Sequence, residues 1–174
     1  MNKMTTLYIA RHGTSTWNAK KIIQGHKNSP LAEKGILQAK ELAKKFKDIK
    51  FDLIFSSDLL RAKKTAEIVA LEHDLAVQTT KFLRERHYGH LEGKSQKHFK
   101  KWDEALEKLT DAEKLIYKHS PEMESDEEIS DRMLTFLREV VIGNPGKTIL
   151  FVSHGATMRA TLIKLGLGDY NVLN

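Results

Sequence analysis

The chain has 174 residues, 40% hydrophobic and 30% charged, with a formal net charge of +6 and no cysteine; this is the profile of one folded domain with its own core, not of a disordered chain. The lack of cysteine excludes disulfides, thiol catalysis and Cys-ligated metals, no apolar run reaches the roughly 18 residues of a membrane helix, and Met1-Asn2-Lys3-Met4-Thr5-Thr6 has no apolar leader core, so a cytoplasmic, non-membrane protein is expected. Lysines drive the positive charge, but Glu41, Asp48, Glu67, Asp103, Glu104 and Glu107 are interleaved with them, which argues against a nucleic-acid face and leaves a mild attraction for anionic substrates.

In chain order, the first predicted strand is Leu7–Ala10, followed at once by Arg11-His12-Gly13. From Ile36 the apolar positions Ile36, Ala39, Ala43 and Phe46 mark a helix. A second strand, Asp52–Ser56, runs into Ser57, Asp58 and Arg61. The helix behind it shows Ala62, Thr65, Ala66 and Val69 on one face, with Ser57 or Asp58 as the expected N-cap. A weaker strand at Ala76–Thr79 precedes Glu85. The face Phe99, Trp102, Leu106, Leu109 predicts a helix continuing to Ile116, inside a long polar helical insertion at about 94–125 of the kind that covers active sites. Ile129, Met133, Phe136, Leu137 and Val140 mark a further helix. The strand Thr148–Val152 leads into Ser153-His154-Gly155, and a last helix follows. Short buried strands alternating with amphipathic helices give a single α/β domain over residues 1–174 with a mostly parallel central sheet.

In an open parallel sheet, ligands bind beyond the carboxyl ends of the strands. The four segments that follow the strands should therefore bring His12, His154, Arg11, Arg61 and Glu85 to one edge. This set suits phosphoryl transfer. Arginine forks grip phosphate oxygens, a neutral imidazole is a competent nucleophile near neutral pH, and a carboxylic acid can protonate a departing alkoxide. Metal binding is the competing reading of the histidines, with His87 and His90 at i, i+3. Two arginines at the site would repel a divalent cation, and no pair of carboxylates accompanies the histidines, so no metal is expected. His26, His73, His98 and His119 read as surface residues.

Four motifs carry a family resemblance. They are Arg11-His12-Gly13-Thr14-Ser15 with Asn18, Gln24-Gly25 and Ser29-Pro30-Leu31 after it; Ser56-Ser57-Asp58-Leu59-Leu60-Arg61-Ala62; Leu83-Arg84-Glu85-Arg86-His87-Tyr88-Gly89 with Glu92-Gly93; and Val152-Ser153-His154-Gly155. In this order they resemble the histidine phosphatase superfamily, which includes phosphoglycerate mutases and fructose-bisphosphatase-type phosphatases. The resemblance implies a three-layer α/β/α, phosphoglycerate mutase-like fold. It implies that His12 is phosphorylated, that Arg11, Arg61, His154 and Asn18 hold the phosphoryl oxygens, and that Glu85 is the general acid; Glu92, in the same motif, is its rival on position alone. Ser15, Gln24, Gly25, Tyr88 and Gly155 complete the expected substrate-binding set. A small phosphorylated metabolite is the expected partner, a homodimer is compatible with the reading, and a phosphatase of this kind needs no cofactor.

Three features depart from the family pattern. Ala32 stands where a capping threonine is common, Met123-Glu124-Ser125 replaces a Gly-Glu-Ser pattern, and the sequence ends at Asn174 where relatives run on, so a missing sheet edge or a fragment is expected. Mutases of the family place arginines in the insertion to hold a second phosphate, whereas no arginine lies between Arg86 and Arg132 here. That favours a phosphomonoester hydrolase over a mutase primed by 2,3-bisphosphoglycerate. The complete set of reactive residues argues against a non-catalytic binding protein.

Overall fold

The computed structural model describes residues 4–170; the leading Met1-Asn2-Lys3 and the last four residues lie outside them. Four strands form one sheet in the order β1-β4-β2-β3: β1 Thr6–Arg11, β2 Leu53–Ser57, β3 Val77–Thr80 and β4 Thr148–Ser153. All their pairings are parallel, with Ala10 opposite Val152 and Ser56 also opposite Val152. Each expected strand is present, displaced or extended by one or two residues at its ends.

The alternation of side chains along the strands explains the layers. Tyr8, Ala10, Ile54, Leu150 and Val152 face helices α2 (Glu33–Phe46) and α3 (Leu60–Ala70), packing with Ala43, Ala62, Ala66 and Val69. Leu7, Ile9, Leu53, Phe55, Ile149 and Phe151 face the other way, onto Met133, Leu137 and Val140 of α6 (Asp126–Gly143). Helix α7 (Gly155–Lys164) packs beside α6. The result is a helix–sheet–helix sandwich, and among the described residues no helix is long and apolar enough to cross a membrane.

Local capping decides several boundaries. The short α1 (Thr16–Ala19) starts in a capping box, in which Ser15 Oγ accepts from Asn18 N–H and Asn18 Oδ1 accepts from Ser15 N–H. Ser125 and Glu128 form the same box at the start of α6. Two expectations are corrected. Leu59, not Ser57 or Asp58, occupies the N-cap of α3, without a side-chain cap. Asp58 is held instead by Arg84 through two bonds of 2.7 and 2.6 Å, and this charged fork outcompetes capping. The single helix expected through Phe99–Ile116 is two, α4 (Lys100–Leu106) and α5 (Asp111–Ile116). Thr110 and Glu113 form a capping box that restarts the chain in a new direction.

Candidate active site

β1 and β4 lie side by side and end together, so Arg11-His12 and His154-Gly155 emerge as neighbours. The His12 N–H donates to the Ser153 carbonyl at 3.1 Å, and the two imidazole rings stand 5.0 Å apart, centroid to centroid. His12 Nδ1 lies 2.6 Å from the Gly13 carbonyl oxygen. A carbonyl only accepts, so Nδ1 must carry the proton, which leaves the lone pair on Nε2. Burial, then the charges of Arg61 and Arg11, depress the His12 pKa from 6.5 to about 3 against the opposing Gly13 bond. His154 is pushed well below its ordinary value, first by burial and then by Arg61 and His12. Both imidazoles are therefore neutral at pH 7.

Glycines permit the close approaches that build this corner. A Cβ on Gly13 would overlap the Gly35 carbonyl at the start of α2. One on Gly155 would come within 3.0 Å of Arg11 Cζ, so Gly155 lets the guanidinium lie along the entry to α7. The Gly13 N–H donates to Thr65 Oγ1 at 3.1 Å, and that hydroxyl donates to the Arg61 carbonyl at 2.8 Å, tying the nucleophile loop to α3.

Arg61 is 1% exposed and fixed by backbone. Nη2 donates to the Gly25 carbonyl at 2.9 Å and Nη1 to that of Lys27 at 3.1 Å. Burial lowers its pKa to about 10, still far above neutrality, with Glu85 and Glu92 acting in the opposite sense. Glu85 leans on the first turn of α7. Its Oε1 accepts from Arg86 N–H at 2.9 Å and from Thr157 N–H at 3.3 Å, while Oε2 has a 3.4 Å contact with Ala156 N–H. It makes no side-chain ion pair with Arg61 or Arg86 among the described residues.

These groups open on a cavity of about 780 Å³ lined by Arg11, His12, Asn18, Gln24, Gly25, Arg61, Glu85, Tyr88 and Gly155, and roofed by Phe99, Trp102 and Leu106 of the insertion. Arg86 fixes that roof. It is buried, ion-paired with Asp126 at the start of α6, and its Cζ lies 5.0 Å from the Trp102 ring and 5.9 Å from that of Tyr88. A smaller recess of about 440 Å³, also lined by Arg11 and His12, runs along Gln38 and Lys45 of α2.

Two expected members sit differently. Ser15 is fully buried and does not line the cavity; its hydroxyl, 2.7 Å from Gln24 Oε1, serves the Asn18 cap and holds Gln24. His154 is also fully buried, beside His12 and behind the cavity wall. Glu92 is likewise off the cavity, with Oε1 accepting from His26 N–H at 2.9 Å and Tyr88 N–H at 3.1 Å. His26 is no simple surface residue, since its Nε2 donates to the Glu85 carbonyl at 2.8 Å, and His73 packs edge-on against Phe51 at 5.0 Å. Two cationic lining residues were not singled out from the sequence, Arg159 of α7 and Lys114 of α5. Gly155, Ala156 and Arg159 stand at i, i+1 and i+4, one face of a helix, which is the signal that points to Arg159. Among the described residues no group of three or more His, Cys, Asp or Glu is placed to hold a metal ion.

The sequence model of the histidine phosphatase superfamily (branch 1) matches residues 7–170. The uncharacterized phosphatase PhoE of Bacillus subtilis is 36% identical over 166 residues, covering 95% of this chain and 80% of that protein. The probable phosphoglycerate mutase GpmB of Cronobacter sakazakii is 36% identical over 173 residues, covering 96% and 78%. Among solved structures, YhfR of Bacillus stearothermophilus superposes with a TM-score of 0.84 at 30% identity, covering 98% of this chain and 84% of that one.

Proposed function

The chain belongs to the histidine phosphatase superfamily, and from that premise we propose that it is a phosphomonoester hydrolase working through a phosphohistidine on His12. The observation that carries the reading is the 2.6 Å contact between His12 Nδ1 and the Gly13 carbonyl, which leaves the lone pair on Nε2 of a ring that lines the cavity together with Arg11 and Arg61. In the first step Nε2 attacks phosphorus, the P–O ester bond breaks, and the Glu85 carboxyl delivers a proton to the departing oxygen. In the second, Glu85 takes a proton from water, water oxygen attacks phosphorus, and the P–N bond breaks to free phosphate and the neutral imidazole. Arg11 and Arg61 offset the charge on the nonbridging oxygens in both steps, with Asn18 beside them. The His154 ring, fully buried 5.0 Å from that of His12, packs behind the nucleophile. No step calls for a metal ion.

The cavity has the size of a small-metabolite site, and a small phosphorylated metabolite is the proposed substrate. The GpmB relative keeps a mutase reading in view, and Arg159 and Lys114 supply cations that the bare count of arginines in the insertion overlooks. Asp103 and Glu107 line the same end and oppose a second dianionic phosphate, which a mutase must retain through turnover. We therefore favour hydrolysis. The test is phosphate release from a panel of phosphomonoesters, with and without EDTA and 2,3-bisphosphoglycerate, beside conversion of 3- to 2-phosphoglycerate. Metal-independent release exceeding isomerisation is expected. Primer-dependent isomerisation with little release would overturn the hydrolase reading, and loss of release in EDTA would overturn metal independence.

A further inference from the structure

We propose that Arg132 of α6, although outside the active-site cavity, is a positioning residue for the general acid: its guanidinium fork, oriented by Glu124, fixes the main chain of residues 82–85 and so places the Glu85 carboxyl. This inference rests on the phosphohistidine reading and adds to it a residue that acts on the leaving group through Glu85.

The Glu85 carboxyl itself is loosely held. Beside the 2.9 Å bond from the N–H of the next residue, its contacts with α7 are 3.3 Å to Thr157 N–H, 3.4 Å to Thr157 Oγ1 and 3.4 Å to Ala156 N–H. All three are longer than an ordinary hydrogen bond. A group that gives a proton to a departing oxygen and takes one back from water needs that freedom, so its place must be set elsewhere. The main chain sets it. Four successive carbonyls of this segment each accept from a side chain. The Phe82 carbonyl takes Arg132 Nη1 at 2.8 Å, that of Leu83 takes Ser153 Oγ at 2.9 Å, and that of Arg84 takes Thr157 Oγ1 at 2.8 Å. The Glu85 carbonyl takes both Arg132 Nη2 at 2.9 Å and His26 Nε2 at 2.8 Å. Among these donors Arg132 alone holds both ends of the segment.

The fork is fixed in turn. Arg132 Nε donates to Glu124 Oε1 at 2.9 Å and Nη2 to Glu124 Oε2 at 3.1 Å, while Glu124 Oε2 also accepts from the His87 N–H at 2.7 Å. Burial works against the charge on Glu124, but the hydrogen bond and charge of Arg132 outweigh it, and the Glu124 pKa lies below its ordinary value. Arg132 precedes Met133, which is fully buried between α6 and the sheet, so the fork rides on a helix anchored in the core. A lysine, as a single point charge, cannot serve Glu124 and two carbonyls three residues apart in one plane. Arg132 does not line the cavity, so its effect on the reaction passes through the segment it holds. The competing role is plain fastening of α6 to this segment, which would slow every substrate alike.

A matched pair of esters separates the two roles. Para-nitrophenyl phosphate and para-nitrobenzyl phosphate have similar shapes, but only the benzyl alkoxide needs a proton as it leaves. In single-turnover kinetics, Arg132→Met should slow phosphorylation by the benzyl ester about tenfold to a hundredfold, the scale of misplacing a catalytic group by about 1 Å, and by the phenyl ester far less. In a Glu85→Gln background the same substitution should leave the ratio of the two rates unchanged, because the acid it positions is gone. Arg132→Lys should fall between the unsubstituted protein and Arg132→Met. Equal losses with the two esters, or a ratio that shifts as much in the Glu85→Gln background, overturns the positioning role. If Arg132→Met does not fold, Arg132→Lys and His26→Leu carry the same test, since each weakens the hold on the Glu85 carbonyl. A ratio unmoved in both overturns the role. The two readings fail distinguishably. An unsubstituted protein that releases phosphate from neither ester removes the phosphatase and the positioning role with it, whereas a phosphatase whose ratio ignores Arg132 removes the positioning role alone.

Discussion

Replacing Gly25 by alanine should damage stability and phosphate binding together, because one residue joins three parts of the site. Its φ is +53°, a region that costs an L-residue about 1–2 kcal/mol. A Cβ at this position would overlap the Glu92 carboxylate. That side chain is 4% exposed and accepts two backbone N–H bonds, from His26 and Tyr88, so it cannot simply swing away. Weakening two charge-assisted bonds costs about 2 kcal/mol or more, which brings the total to about 3–5 kcal/mol. With a urea m-value of about 1–3 kcal/mol/M, the unfolding midpoint should fall by about 1 M or more. The Gly25 carbonyl also holds Arg61 Nη2 at 2.9 Å, so affinity for vanadate, a mimic of the transferred phosphoryl group, should drop as well. Denaturation and vanadate inhibition are the two assays. The double variant Gly25→Ala/Glu92→Ala removes the overlap, and the effects should be less than additive. A change below about 0.5 kcal/mol with unaltered vanadate inhibition would refute the argument that Glu92 and Gly25 jointly seat Arg61.

Glu85→Gln should slow phosphorylation by alkyl phosphates about 10²–10⁴-fold and by aryl phosphates far less, read in single-turnover kinetics; equal losses would leave Glu85 only its place at the start of α7. Acid should destabilise the protein through the histidines. His12 and His154 have folded pKa values below 6.5, so the unfolded chain takes up protons first, and the stability present above pH 6.5 is lost as pH falls toward about 3 for His12. Between about pH 6 and 4.5 His12 should contribute a slope of about 1.4 kcal/mol per pH unit, with His154 acting in the same direction, and a slope unchanged in His12→Gln would contradict the buried neutral imidazole. Ala32 has the extended backbone of an N-cap and no side-chain bond, so Ala32→Ser should stabilise the fold by about 0.5–1 kcal/mol, and a lower melting temperature would argue against it.

Much of this architecture is legible in the chain. The strands Leu7–Ala10 and Thr148–Val152 are apolar runs ending in reactive residues, and a parallel sheet converts that order into proximity, so His12 and His154 meet. The capping signals are legible only in part. Thr110 and Glu113 spell a capping box that splits the expected helix, whereas Asp58 looks like a cap until Arg84, distant in sequence, claims it. Ser15 carries the motif but spends its hydroxyl on Asn18 and Gln24, a contact that depends on how the loop folds back. His26 resembles a surface histidine because its partner is the backbone carbonyl of Glu85, which no pattern of residue types reveals. Arg159 is the instructive omission. It is one helical turn from Gly155, yet counting arginines only within the insertion passes over it.

The central claim is that His12 carries the phosphoryl group, and trapping it is the most direct measurement. Brief reaction with a labelled phosphomonoester, followed by denaturation, should give one phosphoryl group per chain, labile in acid and stable in alkali, on the peptide containing His12. The label should disappear in His12→Ala. A label that persists in His12→Ala, or that resists acid, would contradict the account.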